Sequence, residues 1–187
     1  MFSSLRTKMK GGNGGREPNG AVAQDESEFG EVRYRPLLVN QVIHGHQQLR
    51  MLMRGVLSAC SRRDEAALIS GLQAFAELFR ALALLKSSQV FPYVRWGLHN
   101  DRSALLILDS VQHESQRSTR IIEAVLSEYL GTPWASEHRR RIVADVSRTA
   151  RHLAETIGRD ETSVLPHYMS PGQYRHIGIP AAFNLTR

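Results

Sequence analysis

Between residues 36 and 166 apolar side chains recur every third or fourth position, and four such stripes follow one another. Val39, Val42, His46, Leu49, Met53, Val56 and Cys60 form the first stripe, and Leu68, Leu72, Phe75, Phe79, Leu82 and Lys86 the second. Leu108, Val111, Ser115, Ser118, Ile122, Val125 and Tyr129 form the third, and Ile142, Val146, Thr149, Leu153, Thr156, Asp160 and Val164 the fourth. A period near 3.6 places each set on one face of a helix, so four amphipathic helices are predicted. The punctuation agrees: Pro36 suits a first turn, Asp64 and Asp101 suit N-caps, Gly131 suits a residue just past a helix end, and Thr132-Pro133 suits a fourth start. Pro92 and Pro166 are expected to end the second and fourth helices. Short connections then predict an all-α fold, an antiparallel up-and-down four-helix bundle over residues 35–167.

The flanks read as irregular tails. In residues 1–34 a glycine-rich run (Lys8 to Arg16) precedes a polar, acidic one (Gln24 to Glu31), and neither buries enough surface to offset ordering. No strand precedes the glycines and no Lys-Ser/Thr follows them, so they are not read as a phosphate-cradling loop. This segment is expected to be mobile unless a partner holds it. Residues 168–187 are expected to lie on the bundle through Tyr174, Ile177, Ile179 and Phe183.

Each stripe is broken by polar residues. Lys86 is the sharpest case, because it is the only lysine beyond the first ten residues and it ends the second stripe on the core side. An ammonium there is costly unless paired. His46 breaks the first stripe, Ser115 the third, and Thr156 and Asp160 the fourth.

With 187 residues and 42% hydrophobic content, the chain supports one core of ordinary size. It has no uninterrupted apolar run of about 18 residues and no apolar leader, so neither a membrane span nor a signal peptide is expected. A lone cysteine, Cys60, forbids an intrachain disulfide and fits a core position, which points to the cytoplasm. The net charge of +6 would suit nucleic acid if the cations clustered. The dense spots, Arg62-Arg63 and Arg139-Arg140-Arg141, instead sit beside Asp64, Glu65, Glu137 and Asp145, so a solvated surface is favoured over a nucleic-acid partner. There is no Gly-x-Ser-x-Gly and no Cys-His pair at meaningful spacing. Asp160 and Glu161 are adjacent rather than facing, so no carboxylate pair for acid–base work is expected and the chain is not read as an enzyme.

The second and fourth helices end on the same frame: Leu82-x-x-x-Lys86-Ser-x-x-Val90-Phe91-Pro92 and Thr156-x-x-x-Asp160-Glu-x-x-Val164-Leu165-Pro166. This frame resembles the hemerythrin-like (HHE) domain family, whose corresponding ending reads His-x-x-x-Glu-Glu-x-x-Leu-Phe-Pro. In that family the first and third helices each add a His followed by apolar residues three, six and seven positions later. His46 with Leu49, Leu52 and Met53 matches, with Arg50 at a common basic position, and Ser115 with Ser118, Ile121 and Ile122 fills the other slot.

Carried over, the family's ligand slots fall on His46, Leu82, Lys86, Ser115, Thr156 and Asp160. The resemblance by itself implies a di-iron site, but of these residues only His46 and Asp160 could coordinate iron and Lys86 puts a positive charge where a cation would sit, so a hemerythrin-like bundle that has lost its di-iron site, with no cofactor, is expected. His46, His113 and Asp160 are the only weak candidates for the alternative, a retained iron. Lys86 and Asp160 occupy equivalent slots and are expected to pair across the core, with His46, Ser115 and Thr156 satisfying what remains of a buried polar centre. Two functions stay open. One is a non-catalytic bacterial regulatory or protein-interaction module with a protein partner, analogous to helical anti-sigma proteins. The other is a sensor or binding protein for a small ligand, oxygen or a metal ion in the bundle centre. A homodimer is left open.

Overall fold

The computed structural model describes residues 32–131 and 139–176, and these are all-helical with no strand. The elements are α1 (Leu38–Arg62), α2 (Glu65–Leu85), a π-helical turn (Lys86–Val90), α3 (Phe91–Gly97), α4 (Arg102–Gly131), α5 (Arg139–Ser163), a 3-10 turn (Leu165–His167) and α6 (Pro171–His176). The expectations for the N-terminal run, for Thr132-Pro133 and for Ile177, Ile179 and Phe183 lie outside the described residues.

The connections follow from local chemistry. At the end of α1, the Arg63 N–H donates to Cys60 O and the Asp64 N–H to Ala59 O, a Schellman closure that satisfies two otherwise orphaned carbonyls. It requires a left-handed residue, and Arg63 takes that conformation at φ 66°. Asp64 then caps α2 by accepting from the Ala67 N–H at 3.0 Å, and Asp101 caps α4 by accepting from the Ala104 N–H at 2.9 Å. Both caps fall where the sequence puts them. Gly131 is the last residue of α4 rather than the residue beyond it.

The expected end of the second helix at Pro92 is overturned. Pro92 has no N–H to donate and crowds the carbonyl four residues back, so a regular α ladder cannot run through it. The chain widens instead of stopping: the Phe91 N–H reaches Lys86 O, five residues back, and the Ser87 and Ser88 hydroxyls donate to Leu84 O at 3.0 and 2.7 Å. Tyr93, Val94 and Leu98 are buried beyond the proline, and this burial rewards continuing the helix. The resulting Glu65–Gly97 helix, 33 residues long with a window of mean hydropathy 1.5, is long and apolar enough to cross a membrane by length and composition alone. No uninterrupted apolar run is needed for that, so the sequence expectation of no such segment does not hold as stated. A third of that window is buried within the protein.

Paired helices run in opposite directions. Arg80 pairs with Glu123 at 2.8 Å and Arg95 with Asp109, so numbers rise along α2–α3 as they fall along α4. Tyr129 near the end of α4 donates to Asp145 near the start of α5 at 2.6 Å. Helix α1 packs on both α2 and α5.

All four predicted stripes face inward, and they build two apolar clusters. One joins Leu49, Met53, Phe75, Phe79, Ile122, Leu126, Val146, Leu153 and Ile157. The other joins Leu38, Val42, Val90, Phe91, Tyr93, Leu108, Val164, Leu165 and Tyr168. Each fully buried Leu, Ile or Phe among them contributes about 1.5–3 kcal/mol. His46, Lys86 and Asp160 fall between the two clusters in each helix's numbering. The C-terminal tail is not wholly irregular: Tyr168 belongs to the second cluster and Tyr174, on α6, packs against it.

Candidate functional site: a charge centre between two apolar clusters

Three helices supply the centre. Lys86, on the π-helical turn, donates from Nζ to Asp160 Oδ2 at 2.5 Å, as the equivalent slots predict. The Asp160 side chain is 2% exposed and that of Lys86 12%, so both charges leave water and depend on each other. His46 of α1 stands beside them, its Nε2 3.7 Å from Asp160 Oδ2, beyond hydrogen-bond reach. Its other nitrogen, Nδ1, lies 3.1 Å from Glu161 Oε1. Arg50, one helical turn after His46, closes the row with two bonds to Glu161, Nη1 to Oε1 at 3.2 Å and Nη2 to Oε2 at 3.0 Å. The polar row runs Lys86, Asp160, His46, Glu161, Arg50.

The electrostatics follow the geometry. Burial lowers the pKa of His46 below its ordinary 6.5, and the Lys86 ammonium pushes the same way; Asp160 and Glu161 pull up without overcoming them. Burial alone would raise Glu161, yet the hydrogen bonds from Arg50 and His46 together hold it below the ordinary carboxylate value. Glu161 is thus ionised in a site where His46 is held neutral at neutral pH.

Other expected members take different places. Thr156 is buried, but its hydroxyl donates to His152 O at 2.8 Å within its own helix rather than to the pair. Ser115 is buried, yet Ser118 and Thr119 form the α4 wall of the small cavity at the centre. That cavity, about 20 Å³, is lined by His46, Lys86, Leu82, Phe79 and Thr156 among others, and His46 Nε2 is buried there with no hydrogen bond. Its size admits one water-sized molecule. His113 is exposed and lines a separate cleft, so it does not join His46 and Asp160 as a ligand.

Among the described residues no group of three or more His, Cys, Asp or Glu side chains converges as metal ligands. The donors that do meet fit iron poorly. Asp160 is bound to an ammonium, and the two nitrogens of His46 face separate carboxylates on opposite sides of the ring.

Arg50 and Glu161 are the members that the sequence reading undervalued. Glu161 adjoins Asp160 in sequence, yet the two face different nitrogens of one imidazole, and only Glu161 is within hydrogen-bond distance. The readable signal was the His46–Arg50 spacing of one helical turn opposite a double acid. Neither a family model, nor a curated protein, nor a solved structure matches this chain.

Proposed function

We propose that the chain is a non-catalytic, cytoplasmic regulatory or protein-interaction module, built as an antiparallel up-and-down four-helix bundle of the hemerythrin-like kind, in which a charge pair stands where that family holds two irons. One observation carries the reading: the Lys86 ammonium seated on Asp160 at the level shared by the inward slots. An ammonium and a carboxylate neutralise each other in the space where metal charge would otherwise be balanced by several carboxylates. The neighbouring carboxylate is engaged as well, since Glu161 is held by His46 and Arg50. What is left at the centre is about 20 Å³, too little for a substrate, so recognition falls to the outer helix faces.

The alternative, a sensor with its ligand in the bundle centre, is favoured by a single feature, the unbonded His46 Nε2 on that cavity. It is thereby restricted to one water-sized molecule. Two measurements test the proposal. The full chain purified from its own host should carry no stoichiometric metal, and about two metal ions per chain would overturn the lost-site reading. Cross-linking in intact cells of that host should then join outer α-helical residues repeatedly to one other protein. A chain that cross-links only to copies of itself contradicts a heterologous partner.

A further inference from the structure

A second cavity lies on the outside, between the α2–α3 helix and α4, with a volume of about 570 Å³. That is within the range of small-molecule sites. It exists because the two facing stripes are mismatched in size. Ala83 and Ser87 are short, and they oppose His113, Gln116 and Arg120, which recur along one face of α4. The groove ends at two cross-helix rungs, Arg80 with Glu123 on one side and Arg95 with Asp109 and Gln112 on the other. Those rungs consume the neighbouring carboxylates, and the lining itself contains no Asp or Glu. What faces the groove is a guanidinium with no ion pair among the described residues, an imidazole, two amides and two hydroxyls, over a floor of Phe91 and Ala83.

We infer that this cleft binds a small organic acid, its carboxylate on Arg120 and its apolar body over Ala83 and the edge that the otherwise buried Phe91 presents. The guanidinium supplies a planar two-pronged fork that matches a carboxylate, and the side chains of Gln112, Gln116 and His113 add polar contacts at the rim. The apolar floor selects an acid with a ring or short chain over a bare anion. The π-helical turn matters here too, because it sets Ser87 and Phe91 on the cleft while Lys86 turns inward. Ala83 and Thr119 line both the cleft and the His46–Lys86 cavity, so a bound acid sits one side-chain layer from the charge centre. This gives the molecule an effector site, which goes beyond the interaction reading and does not rest on it.

The probe is 4-fluorobenzoate, followed by fluorine NMR line broadening with the full chain, beside its neutral counterpart 4-fluorobenzamide and with inorganic phosphate as competitor. The benzoate should bind with a dissociation constant of roughly 1 mM, as expected of so small a ligand. The benzamide should bind far more weakly, and phosphate should not displace the benzoate at comparable concentration. Arg120→Gln should weaken binding about tenfold, and Gln116→Trp, which fills the groove, should abolish it. Both positions are exposed, and unchanged helical circular dichroism verifies the fold of each variant. No broadening of the benzoate, equal binding of the benzamide, ready displacement by phosphate, or binding that survives both substitutions each overturns the inference.

Discussion

The ends of α2 and α5 carry one motif and take two courses. Lys86 and Asp160 occupy the same slot, each is followed by a polar residue, and each helix meets a proline six residues later. At Pro92 the chain widens into a π turn and continues to Gly97; at Pro166 it tightens into the 3-10 turn Leu165–His167 and leaves the helix. The difference lies downstream. Tyr93, Val94 and Leu98 extend a buried stripe past Pro92, whereas after Pro166 only Tyr168 is buried before Ser170 and Pro171 start a new turn. Proline removes a hydrogen bond in both cases, and the burial available beyond it decides whether the helix resumes. The motif itself governs something else, the level at which a charge enters the core.

The largest expected effect separates those two roles. Lys86→Met removes the cation and leaves Asp160 as an uncompensated buried charge, which should cost about 3 kcal/mol or more in chemical denaturation. A smaller effect belongs to the extension beyond Pro92. A Cβ on Gly97 would overlap the Tyr174 ring, which packs edge-on to Trp96 and donates from its hydroxyl to His167 O. Gly97→Ala should therefore cost about 1–3 kcal/mol, and Gly97→Ala with Tyr174→Ala should not recover the loss at the charge centre in a Lys86→Met background. If Gly97→Ala proves neutral, α6 does not dock as described.

The smallest effect is a pH slope. His46 in the folded chain has a pKa below its ordinary 6.5, so the unfolded chain takes up the proton more readily, and stability that is complete above about pH 6.5 falls as pH drops below it. Lys86, Asp160 and Glu161 are the charged groups that act on this imidazole, and Arg50 holds Glu161. His167, lowered by burial, contributes with the same sign. Glu161 adds its own loss only as pH falls through and below about 4.5. Between these limits His46→Gln should make the slope of unfolding free energy against pH shallower, and His46→Gln with His167→Gln should flatten it. A slope unchanged in both places the proton elsewhere.

The inward stripes were legible because burial imposes a period, and every residue of the fourth stripe is buried. The caps at Asp64 and Asp101 were legible because side-chain oxygens there have few other uses. The course beyond Pro92 was not, since a proline reads as a stop unless the burial beyond it is weighed. At the site, the Lys86–Asp160 pair followed from a shared frame. The places of Thr156, Ser115 and Glu161 did not, because they depend on rotamers and on which wall faces the cavity. The Thr156 hydroxyl has a competing acceptor in its own helix, the His152 carbonyl, and no spacing rule tells which it takes.

The most direct test of the buried Lys86–Asp160 charge pair is a double-mutant cycle at the two positions, measured by thermal and denaturant unfolding of the full chain. Lys86→Met and Asp160→Leu should each destabilise strongly, and the double variant should regain much of the loss, because no buried charge is then left without its partner. Additive losses in the double variant would contradict the account.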